Sequence, residues 1–261
     1  MGEPHAPALP DVFGTAIKAF LFDLDGVVTH TAAIHARAWK RLFDEFLAGL
    51  EGDSRRLAPF RLPEDYLAYV DGKPRYEGVR SFLRSRAIDL PWGDPRDSPD
   101  ERTVCGLGNR KNRYFNQVMA EQGVEVFPTT IALIRALGAR GVRTACVSSS
   151  KNCRPVLERA GITDLFDVIF DGRDLEREGL PGKPRPDAFL RAAERLGVGP
   201  AESAVVEDAV SGVAAGRAGG FRLVIGVDRG AGREALLAAG ADVVVADLAE
   251  LDAALAAPRS G

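Results

Sequence analysis

The stretch FLFDLDGVVTHTAAIHARAWK, residues 20–40, places two carboxylates directly after a short apolar run. Such a run is typical of a buried strand in a parallel sheet, and this one ends at Asp23. Asp25 follows two residues later and returns to the same side of an extended chain. Gly26 comes next and allows the chain to bend. For any single acid, a solvated loop position or a helix cap is an equally good interpretation, so the assignment depends on what else the chain brings to the same place.

Five further apolar runs follow the first one along the chain. They lie at residues 142–150, 166–172, 202–209, 221–228 and 241–247. Amphipathic helical patterns that end at glycines separate several of these runs. This alternation of strand and helix predicts an α/β fold with a doubly wound parallel sheet, the Rossmann-like arrangement.

The segment between the first and second runs has a different character. It contains amphipathic helical stretches and no convincing parallel strand, with a charged, proline-rich surface loop at 90–102. We therefore expect a core formed by residues 1–30 and 127–261, with 31–126 inserted as an α-helical cap domain. Residues 1–15 are expected to form a loose, proline-rich tail.

Composition narrows the classes of function. The 261 residues carry a formal net charge of -3, so no domain-scale basic surface is available for nucleic acid. No apolar run reaches the roughly 18 residues that a membrane span needs, and the N-terminal residues lack the features of a signal peptide. The three cysteines are too few for a disulfide framework or a zinc site. We expect a cytoplasmic protein that binds neither nucleic acid nor membrane.

Polar residues cluster where the predicted strands end, which is the edge of an open α/β sheet that carries ligand sites. They are Asp23, Asp25, Ser148, Ser150, Lys151, Asn152, Glu207 and Asp208, and the loop GLPGKPRPD adds Lys183. A group of carboxylates suits a hard cation such as Mg²⁺, which commonly also binds substrate phosphate oxygens. Hydroxyls and lysines supply donors to a phosphate. The set predicts metal-assisted phosphoryl transfer, with an aspartate as nucleophile.

Four short motifs in this cluster resemble those of the haloacid dehalogenase (HAD) superfamily. They are DLDGV at 23–27, VSSS at 147–150, GKPRPD at 182–187 and VEDA at 206–209. The resemblance implies that Asp23 is the nucleophile and Asp25 the general acid/base. It implies phosphate binding by Ser148 and Lys183. The implied ligands of Mg²⁺ are Asp23, Asp25 through its main-chain carbonyl, Glu207 and Asp208.

The first motif and the inserted segment resemble the β-phosphoglucomutase group within that superfamily. The stretch DGVVTHTAAIHARAWK implies that Thr31 and His35 act beside the acid/base. VDGKPRYEGV implies a phosphate-binding Arg75, and NRKNRYF implies a substrate-facing Lys111. SSSKN implies that Ser150, Lys151 and Asn152 line the phosphate and sugar site.

The resemblance leads to a specific functional expectation with two alternatives. We expect an Mg²⁺-dependent phosphohexomutase that interconverts β-D-glucose 1-phosphate and glucose 6-phosphate through an aspartyl-phosphate and a hexose bisphosphate. A monomer is the family-level expectation. The first alternative is a HAD-type sugar-phosphate phosphatase, which uses the same core residues. The second is a non-catalytic phosphosugar-binding module, against which the intact set of acids and lysine argues.

Overall fold

The computed structural model describes residues 17–52 and 57–251. The predicted tail at 1–15 lies outside the described residues. The chain divides into two compact units, one formed by residues up to 29 together with 125 onward, the other by residues 30–124. We call them the sheet unit and the helical unit, and describe each by itself.

The secondary structure alternates as the hydrophobic pattern predicts. The strands are β1 Ala19–Phe22, β2 Arg143–Val147, β3 Val168–Phe170, β4 Ser203–Glu207, β5 Leu223–Val227 and β6 Val243–Val245. The helices are α1 Thr31–Ala48, α2 Glu64–Tyr69, α3 Arg75–Ser85, α4 Val104–Gln122, α5 Pro128–Ala139, α6 Cys153–Ala160, α7 Gly172–Glu178, α8 Asp187–Leu196, α9 Val210–Ala218 and α10 Arg233–Ala239. Helices α7 and α10 were not predicted from the sequence. Three short 3₁₀ turns complete the described chain.

The six strands form one parallel sheet in the order β3-β2-β1-β4-β5-β6. The predicted doubly wound α/β fold is thereby confirmed. The chain starts in the middle, builds outward through β2 and β3, and then returns to build the other half from β4. The direction of winding therefore reverses between β1 and β4, and ligands of such sheets bind outside the carboxyl ends of the strands at this reversal.

The register of the central strand determines where its acids lie. Phe22, the last residue of β1, pairs with Cys146 on one side and Val206 on the other. All four β1 residues are buried, as the uninterrupted apolar run indicates. Asp23 is the next residue, and its N–H donates to the carbonyl of Val206 at 2.9 Å. Asp23 therefore stands at the carboxyl edge of the sheet, on the strand that borders the reversal.

The helical unit has its own aromatic core. Phe43 on α1 stacks on Trp39 at 5.4 Å and on Phe60 at 5.2 Å between ring centroids, and Phe82 on α3 packs against it. Within residues 30–52 and 57–124 the structure contains no strand. The segment 90–102 is a loop, as predicted. Across the described part of the chain, no helix has both the length and the apolar character that crossing a membrane requires.

Candidate active site

Three charged groups meet at the reversal of the sheet. The Lys183 ammonium lies 2.5 Å from Asp23 Oδ1 and also donates to Glu207 Oε1. Its third acceptor is the carbonyl of Val147 at 3.4 Å. Lys183 is 3% exposed, Asp23 7% and Glu207 0%. The lysine loop before α8 thus joins the ends of β1, β2 and β4, three strands that are far apart in the sequence.

The protonation of this cluster follows from its burial. Removal from water disfavours the charged lysine, but the adjacent carboxylates of Asp23 and Glu207 outweigh that cost and raise the pKa of Lys183 above its ordinary value. Burial also raises the pKa of Asp23 well above its ordinary value. The ammonium of Lys183 opposes that rise, and the negative charges of Glu207 and Asp25 add to it. Lys183 is therefore a permanent cation, while Asp23 lies in a site with a surplus of negative charge.

Main-chain groups and two glycines place the acids that follow β4. Glu207 Oε2 accepts the N–H groups of Asp208 and Ala209, both at 3.1 Å. A Cβ atom on Gly212, the third residue of α9, would lie 1.8 Å from Glu207 Oε1. A Cβ atom on Gly26 would lie 1.9 Å from Asp208 Oδ2. Both carboxylates therefore occupy space that only a glycine neighbour leaves open.

The oxygens of these acids fit a divalent cation. Asp23, Glu207 and Asp208 each offer a carboxylate oxygen, and the three oxygens lie within 4.8 Å of one another. An all-oxygen set matches Mg²⁺, a hard cation. With Asp25 nearby, the site holds four carboxylates against the single Lys183 ammonium, and an added cation would compensate the excess. The donor set and its charge therefore fit the metal that the motifs imply.

Asp25 lies in a tight turn directly after β1. Its backbone forms a bridge with Thr29, and the N–H of Gly26 donates to the Thr29 carbonyl at 2.8 Å. Gly26 has φ +94°, in the region that favours glycine. The bend expected at Gly26 is therefore present. The carboxylate of Asp25 is not part of the three-acid group, which is compatible with a separate role in proton transfer.

The loop after β2 folds back on itself through hydroxyl caps. Ser148 is 1% exposed, and its Oγ accepts the N–H of Ser150 at 3.0 Å. Ser150 Oγ in turn accepts the N–H of Asn152 at 3.1 Å, directly before α6 begins. The side chain of Lys151 forms an ion pair, because its Nζ lies 2.6 Å from Glu176 Oε1 on α7. The structure thus brings Ser148, Ser150 and Asn152 into one turn at the strand end, and places the Lys151 ammonium in an ion pair.

The predicted residues of the helical unit form two groups. In the first, Lys111 Nζ on α4 lies 2.5 Å from His35 Nδ1 on α1. A lysine ammonium has donors only, so His35 Nδ1 accepts and the ring proton is on Nε2. Lys111 is 3% exposed, between the rings of Trp39 at 4.9 Å and Phe115 at 5.1 Å. Thr31, at the start of α1, is fully buried.

The second group surrounds Arg75, the first residue of α3. Its Nη2 donates to Asn112 Oδ1 at 3.0 Å and its Nη1 to Asn109 Oδ1 at 3.4 Å. Asn109 also donates to the carbonyls of Pro95 and Asp97, at 3.0 and 2.8 Å. The loop that the sequence marked as surface therefore supports the side chain that orients Arg75.

Sequence reasoning missed several residues that shape these groups. Gly212 lies in the small-residue stretch AVSGVAAGRAGG, whose composition favours a helix packed closely on a sheet but does not indicate space for a carboxylate. Asn109 precedes the predicted Lys111 by two residues, a spacing that places the two side chains on different faces of α4. Arg229 follows β5, and a search of every strand end for polar residues would have found it.

Comparison with known proteins places the chain in a well-populated group. The family model described as "haloacid dehalogenase-like hydrolase" matches residues 17–220. A Mycobacterium bovis protein named β-phosphoglucomutase is 50% identical over 240 residues, which cover 90% of this chain and 91% of the relative. A Bacillus subtilis protein of the same name is 31% identical, covering 90% of this chain and 92% of its own.

One solved structure is similar to this chain in fold as well as in sequence. The crystal structure of β-phosphoglucomutase from Clostridium difficile superposes with a TM-score of 0.69 at 27% identity. The match covers 90% of this chain and 93% of that protein. The similarity therefore extends over both units of the chain.

Proposed function

Because the chain belongs to the haloacid dehalogenase-like hydrolase family and is an enzyme of its phosphotransferase type, we propose that it is an Mg²⁺-dependent phosphohexomutase. The proposed reaction interconverts β-D-glucose 1-phosphate and glucose 6-phosphate. The observation that carries this choice is the 50% identity, over nearly the whole chain, to a protein named β-phosphoglucomutase. The geometry around Asp23 supports the chemistry that such a reaction requires.

Asp23 is the proposed nucleophile. One of its carboxylate oxygens attacks phosphorus, the bond from phosphorus to the departing sugar oxygen breaks, and an aspartyl-phosphate forms. Lys183 contacts Asp23 directly and retains its charge, so it holds the carboxylate in place and offsets charge that develops on the phosphoryl oxygens. Mg²⁺ bound by Asp23, Glu207, Asp208 and the Asp25 carbonyl would neutralise the surplus carboxylate charge and polarise the phosphoryl group.

Asp25 is the proposed general acid/base. It gives a proton to the departing sugar oxygen in one half-reaction and takes a proton from the attacking hydroxyl in the other. A hexose monophosphate receives the phosphoryl group from Asp23 and becomes a bisphosphate, which then returns its other phosphoryl group to Asp23. The geometry supports this role, because the Asp25 carboxylate is not part of the three-acid group and is left for proton transfer.

A mutase must also hold the phosphate that is not reacting, and we assign this task to Arg75. The contacts with Asn112 and Asn109 hold the guanidinium of Arg75 in a fixed direction. The fork geometry suits phosphate oxygens. We assign the sugar side of the reaction to the group of Thr31, His35 and Lys111, where the Lys111 ammonium sets the tautomer of His35.

The direct test supplies purified protein with β-D-glucose 1-phosphate, Mg²⁺ and a trace of glucose 1,6-bisphosphate, and measures glucose 6-phosphate and free phosphate in the same sample. We expect glucose 6-phosphate to form faster than free phosphate, and the α anomer to serve as the poor-substrate control. Asp23→Asn should abolish turnover, because the amide cannot form the aspartyl-phosphate. Turnover by Asp23→Asn would exclude the covalent mechanism.

A sugar-phosphate phosphatase is the second candidate. The observation that favours it is the match to a family model described as a hydrolase, since Asp23, Lys183 and the acids after β4 would serve either acceptor. A mutase has to exclude water from the aspartyl-phosphate. If free phosphate appears faster than glucose 6-phosphate in the same assay, the phosphatase replaces the mutase.

A further inference from the structure

Arg229, two residues beyond β5, joins three separate parts of the sheet unit. Its Nε donates to the carbonyl of Gly26 at 3.2 Å and its Nη1 to the carbonyl of Ala246 at 3.1 Å. Its guanidinium carbon lies 3.9 Å from the centre of the Phe127 ring. Nη2 lies 3.5 Å from Asp247 Oδ2. The side chain is 23% exposed, so these contacts are largely sheltered from water.

The contact between Arg229 and Gly26 is significant because Gly26 lies next to Asp25 in the chain and against Asp208 in space. Gly26 directly follows Asp25, and its Cα packs so closely against Asp208 that a Cβ atom there would lie 1.9 Å from Oδ2. Arg229 binds the carbonyl of the same residue. Gly26 is thus held between a carboxylate of the metal group and a guanidinium. Any shift of this residue would move the main chain of Asp25, the proposed acid/base.

The Phe127 contact ties the same turn to the segment where the chain re-enters the sheet unit. The N–H of Phe127 donates to the carbonyl of Val28 at 3.0 Å, and Thr29 forms an antiparallel bridge with Val126. Arg229 therefore contacts the segments on both sides of this bridge, one through the Gly26 carbonyl and the other through the Phe127 ring. Ala246 and Asp247, which follow β6, anchor its other end.

From these contacts we infer that Arg229 is a positioning residue for phosphoryl transfer, which acts on Asp25 through the Gly26 carbonyl. This inference rests on the proposed function, because it takes Asp25 as the acid/base. In this role Arg229 acts through the main chain and does not touch the substrate. The guanidinium is suited to the task, because its rigid fork bonds two carbonyls in fixed directions and its face covers an aromatic ring.

The test compares Arg229→Met, which keeps the length of the side chain without its donors, with Arg229→Lys, which keeps a charged donor. Arg233→Met is the matched control, since Arg233 also donates to a main-chain carbonyl, that of Val244 on β6. The kcat and KM for β-D-glucose 1-phosphate are measured at saturating Mg²⁺, with the melting temperature of each variant. We expect Arg229→Met to lower kcat about tenfold or more with KM changed less than about twofold, the pattern of an interaction realised in the transition state.

Arg229→Lys should recover part of the lost kcat, and Arg233→Met should keep the wild-type kcat even if its melting temperature falls as far. The inference is overturned if Arg229→Met keeps the wild-type kcat, if Arg233→Met loses kcat equally, or if Arg229→Lys recovers nothing. If Arg229→Met does not fold, Arg229→Lys is compared with Arg233→Lys by the same criterion. If the wild-type protein releases only free phosphate, the mutase proposal fails on its own, and the same comparison is made on the rate of phosphate release.

Discussion

We expect Lys183→Met to destabilise the folded protein by about 3–5 kcal/mol at neutral pH, the range found when one partner of a buried ion pair is removed. The side chain of Lys183 is 1% exposed and the side chains of its two partners, Asp23 and Glu207, are 10% and 0% exposed, so water cannot replace it. Each lost hydrogen bond to a charged group is worth about 1.5–3 kcal/mol, and two are lost. Methionine restores most of the packing volume, so the deficit is mainly electrostatic.

The pH dependence of this deficit gives the reasoning a second check. The Lys183 pKa is raised above its ordinary 10.5, so in the wild type its stabilisation is complete below that pH and is lost only as the pH rises toward the folded-state value. The Asp23 pKa is already above its ordinary 3.8, and loss of the ammonium raises it further. Protonation of Asp23 then relieves the variant, and we expect a smaller deficit near about pH 5 than near about pH 8.

The assay is urea unfolding of both proteins, followed by far-UV circular dichroism with Mg²⁺ chelated. Lys18→Met is the matched control, because Lys18 and Glu202 lie 2.6 Å apart, as close as the buried pair, but are 63% and 41% exposed. Solvent screens that pair, and its removal should leave stability close to the wild-type value. A loss of stability in Lys183→Met no larger than that in Lys18→Met, or a deficit that grows as the pH falls, would contradict a penalty from buried, unpaired charge.

Three further outcomes are expected. Gly212→Ala should abolish turnover, because the added methyl would lie 1.8 Å from Glu207 Oε1. Gly138→Ala is the control, because the Cβ position of this glycine in α5 is open, and it should keep full activity. Equal activities of the two variants would contradict this expectation. Asn109→Ala should raise KM more than it lowers kcat in steady-state kinetics, because it releases Arg75, the candidate phosphate-binding residue. Asn116→Ala, at an exposed position on the same helix, should leave both constants unchanged. Chelation should stop turnover and added Mg²⁺ should restore it, measured as glucose 6-phosphate formation; activity that survives complete chelation would exclude the metal.

The parts of the fold that depend on short-range pattern were predictable. All six apolar runs became strands, because a strand buried on both faces needs an uninterrupted apolar sequence. The position of Asp23 at the edge of the sheet followed from the same rule, since a charged residue ends such a run. The order of the strands was not predicted, because the hydrophobic pattern does not indicate which strands are neighbours.

Contacts between distant segments could not be predicted in the same way. Lys111 and His35 are 76 residues apart and meet only because α1 and α4 pack together. Lys151 pairs with Glu176 on helix α7, and no pattern in the sequence had indicated that helix or that partner. Such partners depend on which helix faces are adjacent, and hydrophobic periodicity reports only which face is buried.

Two glycines beside the acids belong to the candidate site as much as the acids do. Gly26 and Gly212 each leave the space in which a carboxylate lies, with a hypothetical Cβ at 1.9 Å from Asp208 and 1.8 Å from Glu207. A side chain at either position would displace an acid without changing any ionisable group. Substituting these glycines should therefore resemble loss of the acids in activity while sparing the charge of the site. Because Lys183 is bound to Glu207, displacement of that carboxylate would also loosen the ammonium that holds Asp23. The nucleophile thus depends on a residue with no side chain, and that dependence follows from packing alone.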